Sequence, residues 1–467
     1  MNRKPSLASI LDVLCDTRIF LFGLALATLC IAWILPPLQS PDEMDHLKRA
    51  WALGKGEILL SKNPSGGSSG FFVDSGLLAY MDIHARIRFR PDLKFQPAEF
   101  EKAKQMQWSR QEVFSEAPGT GYYFPIIYLP QAVGLRLGRA VGLGIYGSYW
   151  VARVLAWSVA LAALLIASLV HPTGLLTLFL LAMPMMLFQF SSASIDQLLV
   201  AFTILYLGLC SRLMGRRTYM ISGRILASDG EVMLLTLLGI FLACAHQNLS
   251  PLVLFIFLLA WKRRSWAIFQ LGVTASITIL GWAFLAMATT RDLRIPRPLT
   301  GADIASYYLE NPGVAVELVW RTISNPAQWN YWWTGFVGLM GWLDTRLPES
   351  FYPVAALAVC VAGLLSIGRL DSSVSRLESL IAVLAAFCVM AITFAAMIFS
   401  WTPIPHHEVR GIQGRYFIFP ALLLAHALRD RPRSGELRGR MAAFFLLSWL
   451  LMSALFTLQA VQVRHYN

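Results

Sequence analysis

Ile19-Phe20-Leu21-Phe22-Gly23-Leu24-Ala25-Leu26-Ala27-Thr28-Leu29-Cys30-Ile31-Ala32-Trp33-Ile34-Leu35 carries no charge, and just beyond its Pro36-Pro37 stop stands Ser40-Pro41-Asp42-Glu43-Met44-Asp45-His46. About 20 apolar residues in helical conformation cross the ~30 Å hydrocarbon core of a bilayer, so the first run reads as a membrane span whose ends reach into polar neighbours. No signal-peptide cleavage site follows it, and it reads as an uncleaved anchor. The second run sets four ionisable groups within five residues at the boundary between lipid and water, where unpaired charge is costly.

The rest of the chain agrees with that reading. Of 467 residues 56% are hydrophobic and only 14% charged, and the mean hydropathy is +0.57; these values exclude soluble α/β, barrel and sandwich domains. The apolar residues fall in unbroken runs and do not alternate, which excludes an outer-membrane barrel. Ten further apolar stretches cover 151–170, 175–190, 198–213, 232–245, 251–261, 267–288, 351–367, 380–401, 416–428 and 442–461. The expectation is an all-α polytopic membrane protein of about eleven transmembrane helices. A further apolar segment, 122–143, is broken by Pro125, Pro130, Arg136 and Arg139. There is no internal repeat.

Orientation follows from the basic residues. With the amino terminus in the cytoplasm and 122–143 kept out of the span count, the inner connections hold Arg3, Lys4 and Arg18; Arg212, Arg216, Arg217 and Arg224; Lys262, Arg263 and Arg264; Arg369 and Arg376; and Arg429, Arg431, Arg433, Arg438 and Arg440. The short outer connections then carry only Arg410 and Arg415, as the positive-inside rule requires. Segment 122–143 therefore reads as an interfacial or re-entrant hairpin on the outer face. Two long outer segments result, 39–150 with its own juxtamembrane helices and 289–350, and function is expected there. The net charge of +12 is explained by this loop bias, so nucleic acid is not expected as a partner. Six cysteines show neither metal-ligand spacing nor a disulfide framework; Cys15 precedes the first run, and Cys30, Cys210, Cys244, Cys360 and Cys388 lie inside apolar runs.

On a helix Asp42 and His46 are i, i+4 neighbours, so a carboxylate and an imidazole share one face. That suits an acid/base pair or half a metal site; Asp42 is also well placed to begin a helix. Three more polar islands fall on the outer side. They are Ser191-Ser192-Ala193-Ser194-Ile195-Asp196; Gly341-Trp342-Leu343-Asp344-Thr345-Arg346-Leu347-Pro348; and His406-His407-Glu408-Val409-Arg410-Gly411-Ile412-Gln413-Gly414-Arg415-Tyr416. Each alone is compatible with a turn; their convergence on one face argues for a site. Trp320, Trp329, Tyr331, Trp332, Trp333, Phe336 and Trp342 suit an interfacial aromatic belt or a stacking platform for a sugar or isoprenoid. Arg136, Arg139 and Arg153 suit lipid headgroups or a lipid phosphate.

An Asp-Glu pair directly after the first span, a large first outer loop and ten or more spans resemble the GT-C superfamily of membrane glycosyltransferases. Pro41-Asp42-Glu43 with His46, Tyr128-Leu129-Pro130-Gln131, Ser194 with Asp196, Gly341-Trp342-Leu343-Asp344-Thr345 with Leu347-Pro348, and Gln413-Gly414-Arg415-Tyr416 are similar, in the same order, to a bacterial multi-pass domain-of-unknown-function family grouped with those enzymes. The resemblance covers about 35–428. It implies a GT-C-like fold in the bacterial cytoplasmic membrane and inverting transfer of a sugar from a polyprenyl-phosphate donor to a glycan or glycolipid acceptor on the periplasmic face. By the same analogy Asp42 is the base, and Glu43 orients the acceptor or a metal. His46, Asp196, Asp344, Trp342, Arg410, Arg415 and Tyr416 then bind substrate, with Arg410 and Arg415 toward the phosphate. A divalent cation is compatible with the resemblance, but the chain offers no recognisable full ligand set. The competing expectations are a lipid-linked saccharide transporter, marked by ionisable residues at mid-bilayer and by broken helices, and an outer-face acyl or phosphate-group transferase, which calls for a nucleophile or a metal cluster.

Overall fold

The computed structural model describes residues 16–215, 228–295, 301–366, 376–404, 406–428 and 437–467. Arg3, Lys4, Cys15, Arg216, Arg217, Arg224, Arg369, Arg429, Arg431 and Arg433 lie outside the described residues. The fold is an all-α polytopic membrane bundle. Among the described residues six helices are long and apolar enough to cross a membrane: Thr17–Ile34, Ile145–Val170, Asp196–Gly215, Trp266–Thr289, Arg376–Ser400 and Leu437–His465. Five of them turn large apolar side chains such as Trp33, Phe284 and Leu451 outward, which only lipid makes tolerable. Asp196–Gly215 is the exception, mostly enclosed by its neighbours.

The other expected spans come out shorter or interrupted. Residues 175–190 form two helices, Leu175–Leu181 and Pro184–Phe190. Pro184 has no N–H to continue the first helix, and it starts the second instead, at a position where no donor is needed. Both pieces are enclosed by protein. Residues 251–261 become a 3₁₀ turn, Gln247–Leu252, leading into Val253–Arg263. Residues 416–428 become Gly414–Phe417 and Ile418–Ala427. At 1.5 Å per residue, a ten-residue helix spans about 15 Å, half a bilayer core. Ser228–Ala245 and Phe351–Ser366 run for 18 and 16 residues.

Segment 122–143 is the 12-residue helix Leu129–Ala140 preceded by a 3₁₀ turn, Pro125–Tyr128, too short to span. It lies back along Ile145–Val170 because Gly134 and Gly138 leave room: a side chain at either position would collide with Ala152 or Ser148. This is the small-residue spacing that lets two helices touch backbone to backbone.

Beside the expected juxtamembrane helices, residues 39–150 hold a pair of strands. Helices Glu43–Gly54, Ser75–Ala85 and Pro97–Gln105 surround an antiparallel pair, Gly70–Asp74 with Glu112–Glu116, in register Gly70↔Glu116 to Asp74↔Glu112. Buried Asp74 locks the corner by accepting from the backbone N–H groups of Gly76, Ser109 and Arg110. Residues 301–346 add three short helices, Gly301–Glu310, Pro312–Ser324 and Pro326–Val337, and a tight hairpin pairing Leu339–Met340 with Thr345–Arg346.

Candidate functional site

Pro36-Pro37 ends the first long helix, and the chain re-enters a helix at Glu43–Gly54. Asp42 stands at the N-cap of that helix with φ +59°, a left-handed conformation that non-glycine residues seldom adopt and that Asp tolerates better than most. Its carbonyl accepts the His46 N–H at 3.0 Å, but its carboxylate makes no capping bond to the helix. The neighbouring residue takes over the local work. Glu43, 1% exposed, accepts from Ser40 N–H at 3.0 Å, Tyr149 O–H at 2.6 Å and Ala193 N–H at 2.8 Å. Asp42 is thereby left to point elsewhere.

It points at Arg415. One guanidinium nitrogen lies 2.6 Å from Asp42 Oδ2, the other terminal nitrogen 3.7 Å from Asp196 Oδ2, and Nε donates to Gln413 Oε1 at 2.9 Å. The Gln413-Gly414-Arg415-Tyr416 motif has a physical reading here. A side chain at Gly414 would overlap the Trp332 carbonyl, and Gly335 of helix Pro326–Val337 faces Gly414 across the contact. Only a pair of glycines lets this segment lie close enough to deliver Arg415 between the two carboxylates. Asp196 opens the enclosed helix Asp196–Gly215, where helix N-terminal amides favour a negative charge.

These groups line a cleft of about 630 Å³, its open mouth included, together with His46, Tyr123, Gln189, His246, Asn248 and Tyr416. Met186, Ile195, Val200, Ile418 and Phe419 supply an apolar wall. The Asp42 side chain is 50% exposed and that of Arg415 12%, so the acid opens to the cleft while the cation is held behind it. Burial pushes the Asp42 carboxyl up, but the Arg415 guanidinium beside it outweighs that and holds the group below the usual carboxylate range. Burial likewise works against Arg415, and the charges of Asp42 and Asp196 more than restore its proton. His46 is lowered by burial despite the nearby acids, so it enters neutral chemistry as a neutral ring, sharing a 2.9 Å hydrogen bond between Nδ1 and the Tyr128 hydroxyl.

The structure thus brings together Asp42, His46, Asp196, Arg415 and Tyr416 from three separated parts of the chain. Other expected site residues stand elsewhere. Glu43 does not reach the cleft, being consumed by three protein donors that tie the first turn to helix Ile145–Val170 and to the 191–195 loop. Asp344 is paired with Arg464 at 2.7 Å, both buried. Trp342 is buried and donates its indole N–H to the Leu38 carbonyl at 3.2 Å. Arg410 is exposed on a separate stretch, its backbone N–H bonded to Thr402. Arg153 is not available to a lipid phosphate: it is buried and donates to the carbonyls of Ser191 at 2.5 Å and Leu35 at 3.2 Å. Arg139 lies over the rings of Trp51 and Trp108, and Arg136 donates to the Gly54 carbonyl. Gln131 holds the 193–194 carbonyls at 3.2 and 3.0 Å, which accounts for the Tyr128-Leu129-Pro130-Gln131 motif as a brace for both Asp196 and His46.

Four cleft residues escaped the sequence reading: Tyr123, Gln189, His246 and Asn248. His246-Gln247-Asn248 was the findable one, an uninterrupted polar triplet between two apolar stretches on the same side as the other islands. Among the described residues no three His, Cys, Asp or Glu side chains converge as a metal site.

No curated protein and no solved structure matches the chain. A family model does, along residues 24–425, a span that contains every cleft residue named above; the chain belongs to the membrane-protein family described as "Predicted membrane protein (DUF2142)".

Proposed function

We propose that the protein is an inverting glycosyltransferase of the bacterial cytoplasmic membrane, with a GT-C-like fold, that moves a sugar from a polyprenyl-phosphate donor to a hydroxyl of a cell-envelope glycan or glycolipid at the periplasmic face. The observation that carries this reading is the Asp42 carboxylate, turned out of its helix cap into a cleft that has a buried Arg at one wall and apolar side chains at another. A lipid phosphate needs the cation and the greasy wall; an acceptor hydroxyl needs the carboxylate.

In the reaction the acceptor oxygen forms a bond to the anomeric carbon from the face opposite the phosphate, its proton passes to Asp42, and the C–O bond to phosphate breaks with its electron pair leaving on the polyprenyl phosphate. Positive charge on the sugar and negative charge on the leaving group build together, so a carboxylate and a guanidinium on opposite sides of the sugar lower the barrier. At rest the two are paired with each other. A donor phosphate that engages Arg415 draws it from Asp42, which raises the basicity of the carboxylate at the moment an acceptor needs it. Asp196 keeps Arg415 oriented through the exchange, and Tyr416, whose ring lies beside the guanidinium at 5.6 Å, closes that wall.

Asp42→Asn keeps the shape and removes the base. Reconstituted with a lipid-linked donor and acceptor, it should lose about 10²- to 10⁴-fold in transfer rate. Full activity in a well-folded Asp42→Asn protein sinks the assignment.

The alternative is a lipid-linked saccharide transporter, favoured by the interrupted segments at 175–190, 247–263 and 414–427, since broken helices mark transport paths. It predicts passage of fluorescent lipid-linked sugar across a liposome with no new glycosidic product.

A further inference from the structure

The lining of the cleft divides into a charged set and a neutral set. Charge is confined to Asp42, Asp196 and Arg415, whereas Tyr123, Gln189, His246, Asn248 and Phe419 present neutral polar atoms and ring faces. Three of those polar groups have capacity that the protein does not use. Asn248, 7% exposed, spends its Nδ2 on Thr393 Oγ1 at 3.2 Å, which fixes the amide, while its Oδ1 has no hydrogen-bond partner. His246 Nδ1 also has none of good geometry, although the ring and the Asn248 side chain are close enough to interact with each other. Gln189, 1% exposed, accepts from Ser40 through its Oε1 at 3.1 Å, but its Nε2 finds only the Met185 sulfur at 3.9 Å.

Buried polar atoms left unpaired are costly, and a site that keeps several on one wall is built for something that completes them. A hydroxyl is donor and acceptor at once. It can give its hydrogen to Asn248 Oδ1 and receive one from the His246 ring or from Gln189 Nε2, which no purely anionic or purely apolar group can do. The rings around these atoms, Tyr123 and Phe419 at 5.5 and 5.6 Å from the His246 centroid, offer faces to the C–H side of a sugar ring. Burial keeps His246 neutral, in accord with an uncharged ligand.

We infer that His246, Asn248 and Gln189 form the glycosyl subsite of the cleft, reading the hydroxyl pattern of the donor sugar while Arg415 holds the phosphate. The inference rests on the proposed donor class and adds the residues that select among donors. These are positioning residues; none is placed at the bond that breaks.

The test is binding of the full-length protein in nanodiscs to bare polyprenyl phosphate and to polyprenyl phosphates bearing hexose, pentose and amino-sugar heads. Wild type should prefer at least one sugar-bearing lipid over the bare one by about tenfold or more, the scale of one or two neutral hydrogen bonds. His246→Leu and Asn248→Ala should erase that preference and leave affinity for the bare lipid unchanged, and His246→Gln, which restores a neutral hydrogen-bonding group of similar bulk, should recover part of it. Equal loss for bare and sugar-bearing lipids in His246→Leu, or a preference that survives both variants, overturns the inference. So does a wild type that binds bare lipid through Arg415 without any sugar preference, a result that leaves the proposed function standing. A wild type that binds none of the lipids overturns the proposed function and the subsite with it.

Discussion

Asp42 combines an uncommon backbone conformation, an unused cap position and a 2.6 Å ion pair. A non-glycine residue held at positive φ costs on the order of 1 kcal/mol, and such strain persists where the surroundings over-determine it. Here Glu43, with three donors, does the determining. The ion pair also makes a pH prediction with a definite sign. Because the folded-state carboxyl lies below the ordinary aspartate value of 3.8, the pair contributes stability that is fully present above that value and is lost as pH falls through the lower folded value. The melting-temperature difference between wild type and Asp42→Asn should therefore be constant from pH 7 down to about pH 5 and shrink only below 3.8; a difference that already fades near pH 6 contradicts the pairing. Arg415→Lys offers a second check. A single ammonium cannot reach Asp42, Asp196 and Gln413 together as the guanidinium fork does, so transfer should fall by about 10- to 100-fold while the melting temperature changes little.

At the scale of elements, the site is made of interruptions. Pro184 divides one apolar stretch, Pro251 sits within a 3₁₀ turn, and Gly414 opens another such turn; beside these breaks lie Gln189 and Asp196, His246 and Asn248, and Arg415. The hydrophobic runs were legible as membrane helices from composition and length, and the breaks were legible in principle, since a proline inside an apolar run removes a donor. Which runs are lipid-facing spans and which are enclosed half-helices was not, because lipid and protein interior select the same side chains. The polar islands were legible as a converging set, and Asp42, Asp196 and Arg415 did converge. Asp344 was not separable from them: a solvent-side acid looks the same in sequence whether it lines a cleft or pairs with Arg464, 120 residues away. The Gly335–Gly414 contact yields its own prediction. Gly414→Ala forces its Cβ into the Trp332 carbonyl, so the segment must lift by about an ångström; a shift of that size costs on the order of 10²-fold in a positioned reaction. The variant should fold, with a stability loss of about 1–3 kcal/mol, and transfer poorly. Normal transfer by a folded Gly414→Ala protein breaks the link between that packing and Arg415.

Across the whole molecule, helix Leu437–His465 is what joins residues 39–150 to the segment 301–346. Leu437–His465 runs along Thr17–Ile34 and ends with Arg464 buried, donating to the carbonyls of Leu93 at 2.9 Å and Ile87 at 2.5 Å and to Asp344 at 2.7 Å. One side chain thus ties the end of the chain to residues 39–150 and to the hairpin after helix Pro326–Val337. Both partners of the ion pair are nearly inaccessible, at 3% and 5% exposure, so removing the acid strands a buried cation; breaking such a pair costs about 3–5 kcal/mol, and the two carbonyl partners that remain place this case toward the lower end. Asp344→Ala should lower the melting temperature by several degrees, and Asp344→Asn, which can still accept a hydrogen bond, by less. In protein that remains folded, KM for the lipid-linked donor should match wild type in both variants. A sugar-binding role for Asp344 predicts the reverse, a raised KM with an unchanged melting temperature, and that outcome would return Asp344 to the cleft.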